Sequence, residues 1–288
     1  MSAQQLAEEI ESVISQVMDD FALEVEVIEG RIYNRILSVL NGLELDNEGF
    51  IKQSAANRRV LYDAENLVYE LLPGESFTNV VTRALSVIQT IDSANVDYFS
   101  GVSDGFKSNR AFIKSLQNQT VQFIESNLLN EGLASQVRLP LLNILNLNIN
   151  TGGQFSGFLE QLRAFIRGNE DLDGRLLSYS RGLLRDTLFN YSRAYQQSVV
   201  SDLGLEWYLY ANGLMDKSRE FCIDRAGRFF HESEIRAWAN LEWKGKAAGT
   251  TESSIFILAG GYNCAHQLIA VHESLVPEED KERVLVTI

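Results

Sequence analysis

The side chains that chemistry most often needs are few in this chain, and they sit together in its last third: Cys222, His231, Cys264, His266 and His272. Cys222, His231, Cys264 and His266 offer two thiolates and two imidazoles, the ligand set of a tetrahedral zinc site. In an extended segment Cys264-x-His266 puts both side chains on one side. Structural zinc sites usually open with a close cysteine pair, whereas here each cysteine stands alone, about forty residues from the other. The competing reading is two half-buried thiols packed in a core with the histidines hydrogen-bonded nearby, and no cofactor. A disulfide formed in an oxidising medium is a further alternative. Cys264 with His266 or His272 as base and Asp224 as orienting group would make a nucleophilic centre. Against it, Cys264 lies between a glycine turn and an expected strand rather than at a helix start that would favour its thiolate. The chain also carries no P-loop, oxyanion-type loop or dinucleotide fingerprint. No enzyme is expected.

The elements that would position these residues begin near Arg175. A helix with Leu183, Leu184, Leu188, Tyr191, Tyr195 and Val199 on its apolar positions leads to Gly204. Leu205, Trp207 and Leu209 then alternate with Glu206, Tyr208 and Tyr210, the two-residue period of a strand. Gly227 and Gly260-Gly261 offer backbone conformations closed to other residues, suited to the corners of a strand-and-turn unit. Asp216 ahead of Ser218 and Arg219 suits a tight turn, with Arg219 free to pair with that carboxylate or a neighbour.

The preceding two thirds read as helical. The chain has only three prolines, so long helices are permitted. Leu6, Ile10, Val13, Ile14, Val17, Met18 and Phe21 share one helical face. The alternation at Phe21, Leu23, Val25 and Val27 is read as a helix buried on two sides, because Ile32, Ile36, Leu37 and Leu40 restore helical spacing. A second helix with Val60, Leu61, Ala64, Leu67, Val68 and Leu71 stops at Pro73-Gly74. Ser76 is the expected cap of a third carrying Phe77, Val80, Val81, Ala84, Leu85, Ile88 and Ile91. Further helices over Phe112–Leu129 and Phe155–Ile166 are expected to be separated by Leu139-Pro140 and a loop over 146–153. The fold class is therefore α+β: a helical region over 1–174, then a small mixed α/β module with short strands over 175–288.

A formal charge of −14 and a pI near 4.7 argue against strong non-specific DNA binding, which needs clustered Lys and Arg. Glu8, Glu9, Glu11, Asp19, Asp20, Glu24, Glu26 and Glu29 precede the first basic residue, Arg31. They read as a solvated helix face or as an arm docking on a basic partner. No apolar run is long enough for a membrane span and no signal peptide opens the chain, so synthesis in a cytoplasm is expected.

In order along the C-terminal third stand Trp207-Tyr208-Leu209-Tyr210, Asp216-Lys217-Ser218-Arg219, Phe221-Cys222, Gly227-Arg228-Phe229-Phe230 and Gly260-Gly261-Tyr262-Asn263-Cys264-Ala265-His266, before an apolar strand over 267–271. This succession resembles the Mu F-like module of tailed-phage minor head proteins. The elements carrying the resemblance are Trp207, Asp216, Arg219, Cys222, Gly227, Asn263, Cys264 and His266. The resemblance implies a structural virion protein of the head, made in the host bacterial cytoplasm. It implies a place at the portal or inner capsid surface, contact with portal, major capsid, scaffold or other virion proteins, and work in head assembly or in DNA packaging and ejection. A zinc-binding adaptor, or an enzyme or toxin-type effector carried in the head, are the alternatives.

Overall fold

Apolar residues at three- and four-residue spacing can be shielded along a single helical stripe, and the long N-terminal stripe does this without interruption. In the computed structural model, which describes residues 1–103, 106–107, 109–214 and 218–285, helix α1 runs Ala3–Leu40. It buries Leu6, Ile10, Ile14, Met18, Phe21, Val25, Ile28, Ile32, Ile36 and Leu40. The alternation at 21–27 is thus helix. Of the early carboxylates, Glu8, Glu9, Asp19, Asp20, Glu24 and Glu26 are exposed, Glu11 is half-buried, and Glu29 is buried.

Helices α2 (Ala55–Leu71), α3 (Glu75–Leu85), α4 (Val87–Val102) and α5 (Arg110–Leu128) follow. Ser54 caps α2 by accepting from the Asn57 N–H. The buried Asn57 amide in turn bonds Glu44 and Lys52 backbone atoms, fixing the connection from α1. Ser76 is not a cap: α3 starts one residue earlier, and its first helical bond runs from the Thr78 N–H to the Gly74 carbonyl. The apolar run expected as one helix to Ile91 is two, divided at Ser86.

The largest departure from expectation is at 146–153. The short helix α6 (Glu131–Leu133) continues through a π-helical turn, Ala134–Arg138, into α7 (Leu139–Thr151), so neither Leu139-Pro140 nor the asparagines break the chain. Pro140 lies in the first turn of α7, where its missing N–H costs little. Asn146 and Asn148 stay helical because their side-chain amides donate to the Leu142 and Ile144 carbonyls four residues back. Leu141, Leu142, Leu145 and Ile149 supply the buried face. The helix ends on left-handed Gly152. α8 (Phe155–Arg167) and α9 (Arg175–Leu203) complete the long helices.

The C-terminal part is a three-stranded antiparallel sheet with short helices around it. Strand β1 (Trp207–Ala211) lies between β2 (Phe229–His231) and β3 (Gln267–Val271). Trp207 pairs with His231 on one side and Val271 on the other, and Tyr210 pairs with Leu268. All five β1 residues are buried, so both faces of the central strand are covered. Helices α10 (Glu220–Ile223), α11 (Glu232–Ala237), α12 (Ile255–Leu258) and α13 (Glu278–Leu285) fill the intervals.

The residues group into two compact units. One comprises Met1–Val17, Ser86–Thr120 and Arg185–Ile288; the other comprises Met18–Leu85 and Val121–Leu184. Each is assembled from separate stretches of chain, whereas the sequence division into 1–174 and 175–288 follows composition. No helix among the described residues is long and apolar enough to cross a membrane.

Candidate functional site: a buried cysteine and histidine cluster

In the unit that contains the sheet, three of the four candidate ligands come together. Cys222 is carried by α10, Cys264 by the turn after Gly260-Gly261, and His266 by the residue before β3. Their two Sγ atoms and one ring nitrogen all lie within 4.8 Å of one another, and all three residues are buried. The cysteines are free thiols. Cys264 Sγ lies 3.7 Å from His266 Nδ1.

Tyr210, on β1, is the wall of this cluster. Its hydroxyl donates to Cys222 Sγ at 3.4 Å and lies 3.7 Å from Cys264 Sγ. Its ring stacks on His266 with centroids 4.9 Å apart. Gly260 forms the floor: a β-carbon there would stand 2.7 Å from Cys222 Sγ and 2.8 Å from Cys264 Sγ. Only glycine lets backbone and sulfurs approach this closely. The Gly260 carbonyl is held from outside by Trp243 Nε1 at 2.9 Å and by Arg219 at 3.2 Å. Arg219 also donates to the Tyr262 carbonyl, so its guanidinium clamps the turn through backbone oxygens rather than pairing with a carboxylate among the described residues. Asp216, the other expected partner, lies outside the described residues.

Behind the cluster is Arg193 of α9, 2 % exposed. Its guanidinium donates to the His266 carbonyl at 2.9 Å, the Ile257 carbonyl at 3.1 Å, Asn190 Oδ1 at 3.0 Å, and the Cys264 carbonyl. It therefore fixes the peptide on both sides of Ala265. Burial pushes its own pKa down, and the Cys264 sulfur opposes that shift. A hydrogen bond from Cys222 holds Cys264 well below the ordinary thiol range, with help from His266 and Arg193 against burial. Cys222 is raised, first by that same bond and then by burial. In contrast, His266 Nε2 and both side-chain polar atoms of Gln267 are buried with no hydrogen-bond partner among the described residues.

The remaining motif residues surround this centre or stand apart from it. Asn263 takes a left-handed backbone (φ 58°), its N–H donating to Asp186 and its carbonyl accepting from Arg185. Left-handed Gly227 (φ 74°) donates its N–H to the Tyr210 carbonyl. Trp207 packs edge-on against His231, 5.3 Å between centroids.

His231 does not join the sulfurs. It caps α11, its Nδ1 accepting from the Ser233 N–H, while Nε2 lies 3.5 Å from Glu206. His272 likewise caps the turn Glu273–Leu275. Asp224 lines an open cleft of about 820 Å³ with Arg219, Phe221, Arg225 and Trp243. Of the nucleophile, base and orienting group considered in the sequence, Cys264 and His266 meet, whereas His272 caps a turn and no hydrogen bond joins Asp224 to a histidine among the described residues.

Sequence reasoning missed Arg193 and Tyr210. Arg193 carried a signal, as a cation placed between the apolar positions Phe189, Tyr191 and Tyr195 of an otherwise inward-facing helix. Tyr210 was legible as a strand residue but not as a neighbour of sulfur. The sequence matches no protein-family model, and neither the curated proteins nor the solved structures contain a significant match.

Proposed function

We propose that this chain is a structural minor head protein of a tailed phage, bound at the portal or the inner capsid surface, acting in head assembly or in DNA packaging and ejection. One observation carries the reading. Arg219, Cys222, Cys264 and His266, spaced along the Mu F-like resemblance, meet around Gly260 and Tyr210 of the strand that begins at Trp207.

Burial supports a binding role over a catalytic one. Cys264 is 4 % and His266 3 % exposed, and a nucleophile has to meet its substrate. The acidic charge fits a protein held close to packaged DNA without adhering to it, since like charges repel. The proposed partners are portal, major capsid or scaffold protein.

Quantitative mass spectrometry of purified particles tests this, comparing the chain with portal and major capsid protein in full heads and in heads emptied of DNA. A fixed ratio to portal in both is the expected result. Loss from emptied heads would make it an ejected internal protein, and absence from particles would sink the head-component reading.

A further inference from the structure

We propose that Cys222, Cys264 and His266 are the ligands of a single buried thiophilic metal ion, with Zn²⁺ as the ion that fits them, and that His231 takes no part.

In a tetrahedral zinc site, metal–sulfur bonds of about 2.3 Å and metal–nitrogen bonds of about 2.0–2.1 Å leave adjacent ligand atoms roughly 3.5–3.8 Å apart. Cys264 Sγ and His266 Nδ1 stand 3.7 Å apart, and the full set spans no more than 4.8 Å. The ligands therefore need to move by only a fraction of a bond length. The Tyr210 hydroxyl, 3.4 Å and 3.7 Å from the two sulfurs, is at the spacing of a fourth ligand to them.

Three further observations separate this cluster from ordinary core packing. The imidazole of His266 is buried, and its Nδ1 faces only a sulfur, a weak hydrogen-bonding atom. A metal at Nδ1 takes up a ring lone pair that otherwise meets only that sulfur. Second, Gly260 removes the β-carbon that would otherwise press on both sulfurs. Third, Arg193 bonds the carbonyls of two ligand residues, Cys264 and His266, and Tyr210 stacks on the ring of one. Such outer contacts hold ligands in register. The long separation of the two cysteines in sequence is closed by the antiparallel pairing of β1 with β3 and by the clamp of Arg219 on the 260–262 turn, so no close cysteine pair is needed.

The site does not depend on the proposed virion role, and the test uses the isolated full chain. Purified without added metal or chelator, the chain should carry about one zinc by elemental mass spectrometry, and Cys222→Ser and Cys264→Ser should each lower this below about a tenth. His231→Ala should leave the content unchanged. Retention of zinc by both cysteine variants, or its loss from His231→Ala, would overturn the assignment. Should the cysteine variants fail to fold, cobalt decides: one equivalent of Co²⁺ added to the reduced, metal-stripped wild type should give a thiolate-to-cobalt charge-transfer band. A folded wild type with free thiols, no zinc and no such band rules the site out.

Discussion

Glu29 and Arg193 are the buried charged side chains among the described residues, one in each unit, and their surroundings differ in kind. Glu29 answers a local structural need. Its Oε1 accepts the Leu177 N–H at 3.0 Å in the first turn of α9, where amides have no helical partner. Gly174 lets the backbone pass directly over both carboxylate oxygens. Arg193 instead joins separate segments: its acceptors are the carbonyls of Ile257 in α12 and of Cys264 and His266 in the stretch leading into β3, with Asn190 Oδ1 on its own helix. A charge that caps a helix completes an element that would form in part without it. A charge that ties loops together defines their conformation. The buried cysteine and histidine cluster lies against the segments that Arg193 ties together.

The sharpest way to break this contrast is Arg193→Met, which leaves several buried carbonyls unpaired. It should lower unfolding stability by about 3–5 kcal/mol in urea denaturation. A loss below about 1 kcal/mol would show that the loops hold themselves. Gly174→Ala puts a methyl against the Ile166 carbonyl and the Glu29 carboxylate, and should cost about 2–3 kcal/mol by the same measurement.

The Glu29 site also predicts a pH dependence. Burial pushes its carboxyl up to about 7 from 4.5, the two backbone hydrogen bonds opposing. The folded state thus keeps this proton over a range where the unfolded chain has released it. Stability from this group is complete below pH 4.5 and is lost as pH rises to about 7, amounting to about 3 kcal/mol. Glu29→Gln should flatten that slope, and an unchanged slope would refute the assignment. The smallest effect is expected at Glu26, one turn away and exposed: Glu26→Gln should stay within about 0.5 kcal/mol.

The same two residues mark how far the sequence could be read. Periodicity disclosed the buried stripe of α1 and the strand at Trp207, because burial of apolar groups repeats along the chain. Glu29 was grouped with the solvated acidic face. Its partner is a peptide group 148 positions away, and no local pattern encodes such a meeting. The cluster was half legible. The ligand types pointed to Cys222, Cys264 and His266, yet His231 was indistinguishable from them until pairing with β1 fixed it at the head of α11. The asparagines of α7 misled for a related reason. Their turn preference is real, but back-bonding and a buried face of Leu and Ile outweighed it.

The assembly of each unit from separate stretches of chain bears on how the molecule forms during synthesis. The unit containing Glu29 has all its residues once Leu184 has left the ribosome, so it can close early. The other must wait. Its first seventeen residues and Ser86–Thr120 emerge long before β3, whose Ala270 carbonyl accepts the Tyr98 hydroxyl at 2.7 Å. Until then α4 presents Tyr98 and Phe99 to solvent or to a chaperone, and a fragment starting at Arg175 would lack the surface its sheet is built against.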